Sequence, residues 1–138
     1  MSDSRPGLPQ AINPESLGFP SGYSHGMLGP RGGRSLFVAG QIGVDPESGQ
    51  PSGFIEQFQR ALANVVTVVE AAGGTREHVA NLTIYVLDKQ QYLGALREVG
   101  RAYRAVMGKH FPATALLEVA GLVDHGAQVE IQAIAVLP

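Results

Sequence analysis

Two stretches of this chain carry apolar side chains at the three-and-four spacing of a helix that buries one side only: Ile55, Phe58, Leu62, Val65 and Val69, then Tyr92, Leu96, Val99, Tyr103 and Val106. Gln57, Arg60 and Asn64 fall on other faces of the first, so a single stripe packs it on a sheet. Gly73-Gly74 ends the first helix, Asp88 caps the second, and Gly108 ends it. The remainder reads as strands. Tyr23–Leu28 and Ser35–Val44 flank the turn-forming run Gly29-Pro30-Arg31-Gly32-Gly33 and are expected to pair as a hairpin. Leu36, Val38, Gly40, Ile42 and Val44 share one parity, and Asp45-Pro46-Glu47-Ser48-Gly49 closes the second strand. Leu82–Leu87, rich in β-branched and aromatic residues, reads as a central strand. Thr114–Val119 and Gln128–Leu137 flank the Gly121–Gly126 loop, and the last strand alternates Val129, Ile131 and Ala133 with Glu130, Gln132 and Ile134. The order β-β-α-β-α-β-β predicts an α+β single domain, a mixed β-sheet with two helices on one face. No third helix is available for the other face. The small residues Ala39, Gly43, Ala133 and Ala135 would let another subunit approach it, so a homo-oligomer is expected to bury it.

A length of 138 residues with 44% hydrophobic content suits one ordinary domain. Residues 1–22 carry Pro6, Pro9, Pro14 and Pro20 and are expected to form an extended N-terminal arm, with the domain proper over 23–138. A net charge of -2, from 10 basic and 12 acidic residues, supplies no field to recruit nucleic acid or an anionic membrane. Without cysteine there is no thiolate nucleophile or disulfide framework. His25, His78, His110 and His125 are isolated in sequence, so no metal site is expected. Gly29–Gly33 lacks the Lys-Ser or Lys-Thr pair of a phosphate loop, and no Gly-x-Ser-x-Gly elbow marks a serine nucleophile. Met1–Pro6 shows no apolar leader, and no run approaches the roughly 20 apolar residues of a membrane span. A cytoplasmic protein without a membrane partner is expected.

Tyr23-Ser24-His25, Ala39-Gly40-Gln41-Ile42, Asn64, Ala71-Ala72-Gly73, Tyr85-Val86, Phe111-Pro112-Ala113 and Val129-Glu130-Ile131, in this order and spacing, resemble the RidA family. The resemblance, which covers nearly all of the chain beyond the arm, implies a chorismate-mutase-like protomer, a homotrimer, and clefts between subunits that take small carboxylated molecules. It also implies hydrolysis of enamines and imines to a carbonyl compound and ammonium, with no cofactor. Such chemistry needs a group that orients water and shuttles a proton, a counter-charge for the substrate carboxylate, and a cleft that excludes solvent.

By that resemblance Glu130 is the water-orienting carboxylate and Tyr23 the cleft tyrosine, while Gly40 and Gln41 bring backbone close to the ligand. From the residues alone, Glu130 reads equally as a solvated strand carboxylate, Tyr23 as a tyrosine packing on the core, and Gly40-Gln41 as subunit packing. Thr114 stands where typical members carry arginine, so the main anion anchor is missing. His25 and Arg97 are candidate replacements. Against them stand a structural histidine and a solvated basic face of Arg97, Arg101 and Arg104. Three functions follow: imine hydrolysis, a non-catalytic small-molecule binding or sensing protein, and an endoribonuclease or translation inhibitor. The slight net acidity argues against the third.

Overall fold

The computed structural model describes residues 5–44, 47 and 52–138. Its elements run β1 (Gln10–Ile12), β2 (Gly26–Leu28), β3 (Arg34–Ile42), α1 (Phe54–Ala71), β4 (Val79–Val86), α2 (Lys89–Leu93), α3 (Leu96–Met107), β5 (Ala113–Glu118) and β6 (Val129–Leu137). The alternation in β6 buries Val129, Ile131, Ala133, Ala135 and Leu137, and turns Glu130, Gln132, Ile134 and Val136 to the opposite face. β6 lies between β3 and β4, antiparallel to both, while β5 pairs in parallel with β4. The sheet order is therefore β3-β6-β4-β5, with β3 and β5 as its edges. A parallel neighbour requires a crossover, and α2 and α3 supply it between β4 and β5.

Phe58, Leu62, Val65 and Val69 of α1, with Val99 and Ala102 of α3, fill the core over one face of the sheet. The chain leaves α1 through a C-terminal cap in which Gly73 and Gly74 donate their N–H groups to the carbonyls of Glu70 and Val69. Gly73 takes φ 93°, a conformation open mainly to glycine. The opposite sheet face is left to solvent: Phe37 is 75% exposed, and Tyr85 reaches sideways to donate to Gln132 at 3.1 Å. The α+β class and the mixed one-sided sheet match the sequence reading.

Four local expectations are revised. β2 pairs with β1, in the register Gln10 with Leu28 and Ile12 with Gly26, instead of forming a hairpin with β3. The reason lies in the connection. Gly33 donates to the Pro30 carbonyl at 3.0 Å, and Gly29 and Gly33 pack on Val136 so closely that a Cβ would lie 2.9 Å and 2.6 Å from its Cγ1. The turn therefore rides over β6 and does not fold the chain back within a sheet. The second helix is divided at Gly94-Ala95, because Gly94 is a weak helix former and Leu93 and Leu96 are both exposed. Gly43, Ala133 and Ala135 lie on the helix side, where their small size lets α1 approach; a Cβ on Gly43 would run into the Gln57 backbone. Gln57 is fully buried even though it lies off the apolar stripe. The closing run at Asp45–Gly49 lies outside the described residues except for Glu47.

Buried Gln57 is tolerated because every polar atom of its amide is used. Its Nε2 donates to the carbonyls of Ser52 (2.9 Å) and Gly126 (3.1 Å), and its Oε1 accepts from the Gln128 N–H at 2.8 Å. These bonds join the start of α1 to the entry of β6. Gln57→Leu keeps the bulk but strands three backbone groups, so unfolding free energy is expected to fall by roughly 2–4 kcal/mol in chemical denaturation. A loss below about 0.5 kcal/mol would show that the bonds are dispensable.

Candidate functional site

At the β3 edge the pairing slips: Val38 faces Ala133, yet Gln41 faces Ile131, so Ala39-Gly40 hold one residue more than the partner strand. This bulge reverses the parity read from the sequence. Leu36 and Val38 point toward the helices, while Ile42 sits opposite Glu130 on the bare face. Gln41 braces the bulge by donating from Nε2 to the Ala39 carbonyl at 3.1 Å. Gly40 lies directly under the Glu130 side chain, where a Cβ would come within 2.8 Å of Cδ and 2.9 Å of Cγ. The missing side chain at position 40 is what lets the half-buried carboxylate lie toward the strand edge.

The β5 edge carries the other set. Buried Ser24 bonds to β5 and the residues before it: its N–H donates to the Pro112 carbonyl at 3.2 Å, its Oγ to that of Phe111 at 2.7 Å, and it bridges in parallel to Ala113. Tyr23 is thereby fixed beside β5, 38% exposed, with its ring edge-on to His25 at 5.4 Å. Thr114 pairs with Leu82 and shares its helix-side parity, and its Oγ1 donates to the Pro112 carbonyl at 2.9 Å. Tyr23 and Thr114 line one cavity of about 420 Å³ between β5 and α3, together with Tyr92, Tyr103, Arg104 and Phe111. A wider cavity of about 750 Å³ opens on the other side of Tyr23, among Asn13, Phe19, Ser24, Glu77 and His110.

The structure thus brings Tyr23 to Thr114, and Glu130 to Gly40 and Gln41, but sets the two groups at opposite edges of the sheet. His25 stands behind Tyr23 and holds the arm: its backbone N–H donates to Asn13 Oδ1 at 2.7 Å, and its Nε2 donates to the Gly18 carbonyl at 3.1 Å. Arg97 is exposed on α3 and lines neither cavity. Sequence reasoning did not single out Arg104, Ser24 or the half-buried pair Tyr103 and His110. Tyr103 stacks on Phe111 at 5.4 Å and donates to the His110 carbonyl at 2.6 Å; burial pushes its phenol well above the ordinary range. His110 Nε2 donates to the Val79 carbonyl at 2.7 Å, and burial outweighs this bond to pull its imidazole below the ordinary value. Among the described residues no group of three or more His, Asp or Glu side chains gathers as a metal site would require, and no helix is long and apolar enough to cross a membrane.

A small α+β domain with a one-sided mixed sheet and a pocket at its parallel edge strand defines a recognisable class. The sequence profile described as Endoribonuclease L-PSP matches residues 16–137, and the chain belongs to that family, which includes the RidA/YjgF proteins. The 2-iminobutanoate/2-iminopropanoate deaminase of Capra hircus is 35% identical over 130 residues, covering 93% of this chain and 83% of the relative. The Rid-family protein YyfB from Yersinia pestis superposes with a TM-score of 0.79 at 28% identity, covering 94% of this chain and 99% of that one. TdcF of E. coli, solved with bound serine, gives a TM-score of 0.65 at 28% identity, covering 96% and 93%.

The lowered basicity of His110 sets a pH dependence. Below about pH 6.5 the unfolded chain takes up a proton that the folded imidazole resists. The contribution of this residue to stability is therefore complete above that pH and is lost as pH falls through it. Melting curves between about pH 7.5 and 5.5 are expected to show a smaller decline for His110→Gln than for the parent chain. Equal declines would assign the pH dependence elsewhere.

Proposed function

We propose that the chain works as a cytoplasmic homotrimer that hydrolyses small imines or enamines to a carbonyl compound and ammonium, at clefts completed between copies. The observation that carries this reading is the placement of the two half-sites on the two edges of one sheet. If the β3 edge of one copy stands beside the β5 edge of the next, Glu130 of the first reaches the cavity of Tyr23 and Thr114 in the second. Contacts of this head-to-tail kind close into a ring when the rotation permits, and the ring covers the bare face that exposes Phe37. The family's named deaminases and the bound serine of TdcF support a small amino-acid-derived ligand.

In this mechanism the Glu130 carboxylate accepts a proton from water as the water oxygen attacks the imine carbon. That proton passes to nitrogen to give a carbinolamine; the carboxylate then takes the hydroxyl proton and returns it to the amino group as the C–N bond breaks, so the carbonyl forms and ammonia departs. The Tyr23 phenol is a donor for the substrate and its ring walls the cleft. Gly40 and Gln41 bring backbone against the substrate beside Glu130. Thr114 supplies shape and an acceptor oxygen, since its proton is already given to the Pro112 carbonyl.

That commitment of Thr114 is also the observation that favours the second reading, a trimer that binds small molecules without turnover. Ammonium release separates the two. With 2-iminopropanoate made in situ by a dehydratase, Glu130→Gln is expected to lower kcat at least about 100-fold while leaving the fold intact by circular dichroism. Gly40→Ala, which forces the carboxylate off its seat, is expected to lower kcat in the same direction. Parent-level turnover in Glu130→Gln would remove the carboxylate from the mechanism, and no turnover by the parent chain would favour binding alone.

A further inference from the structure

We infer that Arg104 is the carboxylate anchor of the Thr114 cavity, and that the cavity takes 2-imino acids with a bulky apolar side chain; this rests on the deaminase reading above. The floor of the cavity is apolar, formed by Phe58, Ile84, Val99 and Leu116, and its walls are aromatic. Thr114 adds no charge. Among the lining residues Arg104 alone carries a cation.

The helix is shaped to present it. Gly100 stands one turn before Arg104, and the guanidinium folds back over it, with Nη1 at 3.2 Å from where a Cβ on Gly100 would stand. A glycine inside a helix weakens it, and here its bare backbone is the ledge on which the planar fork rests beside the cavity mouth. No ion pair occupies that fork among the described residues. Arg97 and Arg101, on the same helix, line neither cavity.

A guanidinium donates two parallel N–H groups to a carboxylate, so Arg104 can do from α3 what a charged residue at position 114 would do from β5. The short side chain at 114 leaves the floor open. A volume of about 420 Å³ is far more than a three-carbon imine fills, and an aromatic or branched aliphatic side chain would lie against the apolar floor. In the resulting pose the carboxylate meets Arg104, the side chain lies on Ile84 and Leu116, and the imine carbon faces the Tyr23 end. Water then adds to that carbon and the C–N bond breaks, giving a 2-oxo acid and ammonium. The supplying reaction must leave an imine on an intact apolar side chain, as oxidation of an aromatic or branched amino acid does.

Calorimetric titration with three probes tests this: phenylpyruvate, pyruvate, and phenylacetone, which keeps the ring and carbonyl but has no carboxylate. Phenylpyruvate is expected to bind roughly tenfold or more tightly than pyruvate, and Arg104→Gln to weaken phenylpyruvate by at least about tenfold while leaving phenylacetone unchanged. Adding Thr114→Arg to Arg104→Gln is expected to recover carboxylate binding, and Arg101→Gln to leave it as in the parent. Unchanged phenylpyruvate affinity in Arg104→Gln, or an equal loss in Arg101→Gln, overturns the anchor. Binding needs no turnover, so the two readings fail separately. If no protein releases ammonium from the imine made by oxidising phenylalanine in situ, yet Arg104→Gln loses phenylpyruvate, the anchor stands and the reaction falls. If Arg104→Gln turns that imine over with an unchanged KM, the reaction stands and the anchor falls.

Discussion

The Glu130 carboxylate can lie at the β3 edge because the residue beneath it, Gly40, has no side chain and sits in a bulge. The β3 side of the candidate site depends on that contact. One extra residue in β3 turns Ile42 toward Glu130 and turns Gln41 toward the helix side, and it bends the strand where its outer edge is unpaired. A bulge at a sheet edge re-aims side chains, and here it brings the bare backbone of Gly40 against the Glu130 side chain of β6. The buried Gln57 amide fixes the entry of β6, since it bonds to Gln128 two residues before Glu130.

The opposite edge is built by a different device. Ser24 extends β5 by backbone and hydroxyl bonds, so the chain preceding β2 becomes part of the wall of the cavity, and Tyr23 is held between two hollows. His25 and Asn13 stiffen this wall from behind. The domain is finished on its helix side and open at both edges and on its bare face. In the proposed trimer, copies placed edge to edge would bury apolar surface and assemble a polar site in one step.

The elements legible in the sequence were those governed by local periodicity. The stripe of α1, the alternation of β6, the β-branched run of β4 and the Asp88 cap each follow from spacing or from a side chain bonding to nearby backbone. What periodicity could not show was partner choice. β2 has turn residues that suit a hairpin, yet contact of Gly29 and Gly33 with Val136 sends the chain across the sheet, and β1 becomes its partner. A bulge flips parity without changing composition, so the facing of Ile42 was invisible. Ala133, Ala135 and Gly43 were read as small residues for a subunit contact because smallness alone does not say which neighbour comes close. For the candidate site, Glu130 and Tyr23 were singled out through family motifs, and their roles belong to the proposal. Arg97, Arg101 and Arg104 were read as a solvated basic face, and all three are exposed; that the Arg104 guanidinium lies over Gly100 beside the Thr114 cavity was not legible from spacing.

The central claim is that each site takes its carboxylate and its phenol from different copies of the chain. Mixing Glu130→Gln with Tyr23→Ala, each inactive alone, and allowing subunits to exchange tests it most directly. In an equal mixture roughly a quarter of the clefts pair an intact Glu130 with an intact Tyr23, so ammonium release is expected to return to about a quarter of the parent rate. If the exchanged mixture stays as inactive as its components, the carboxylate and the phenol do not meet across subunits, and the account is contradicted.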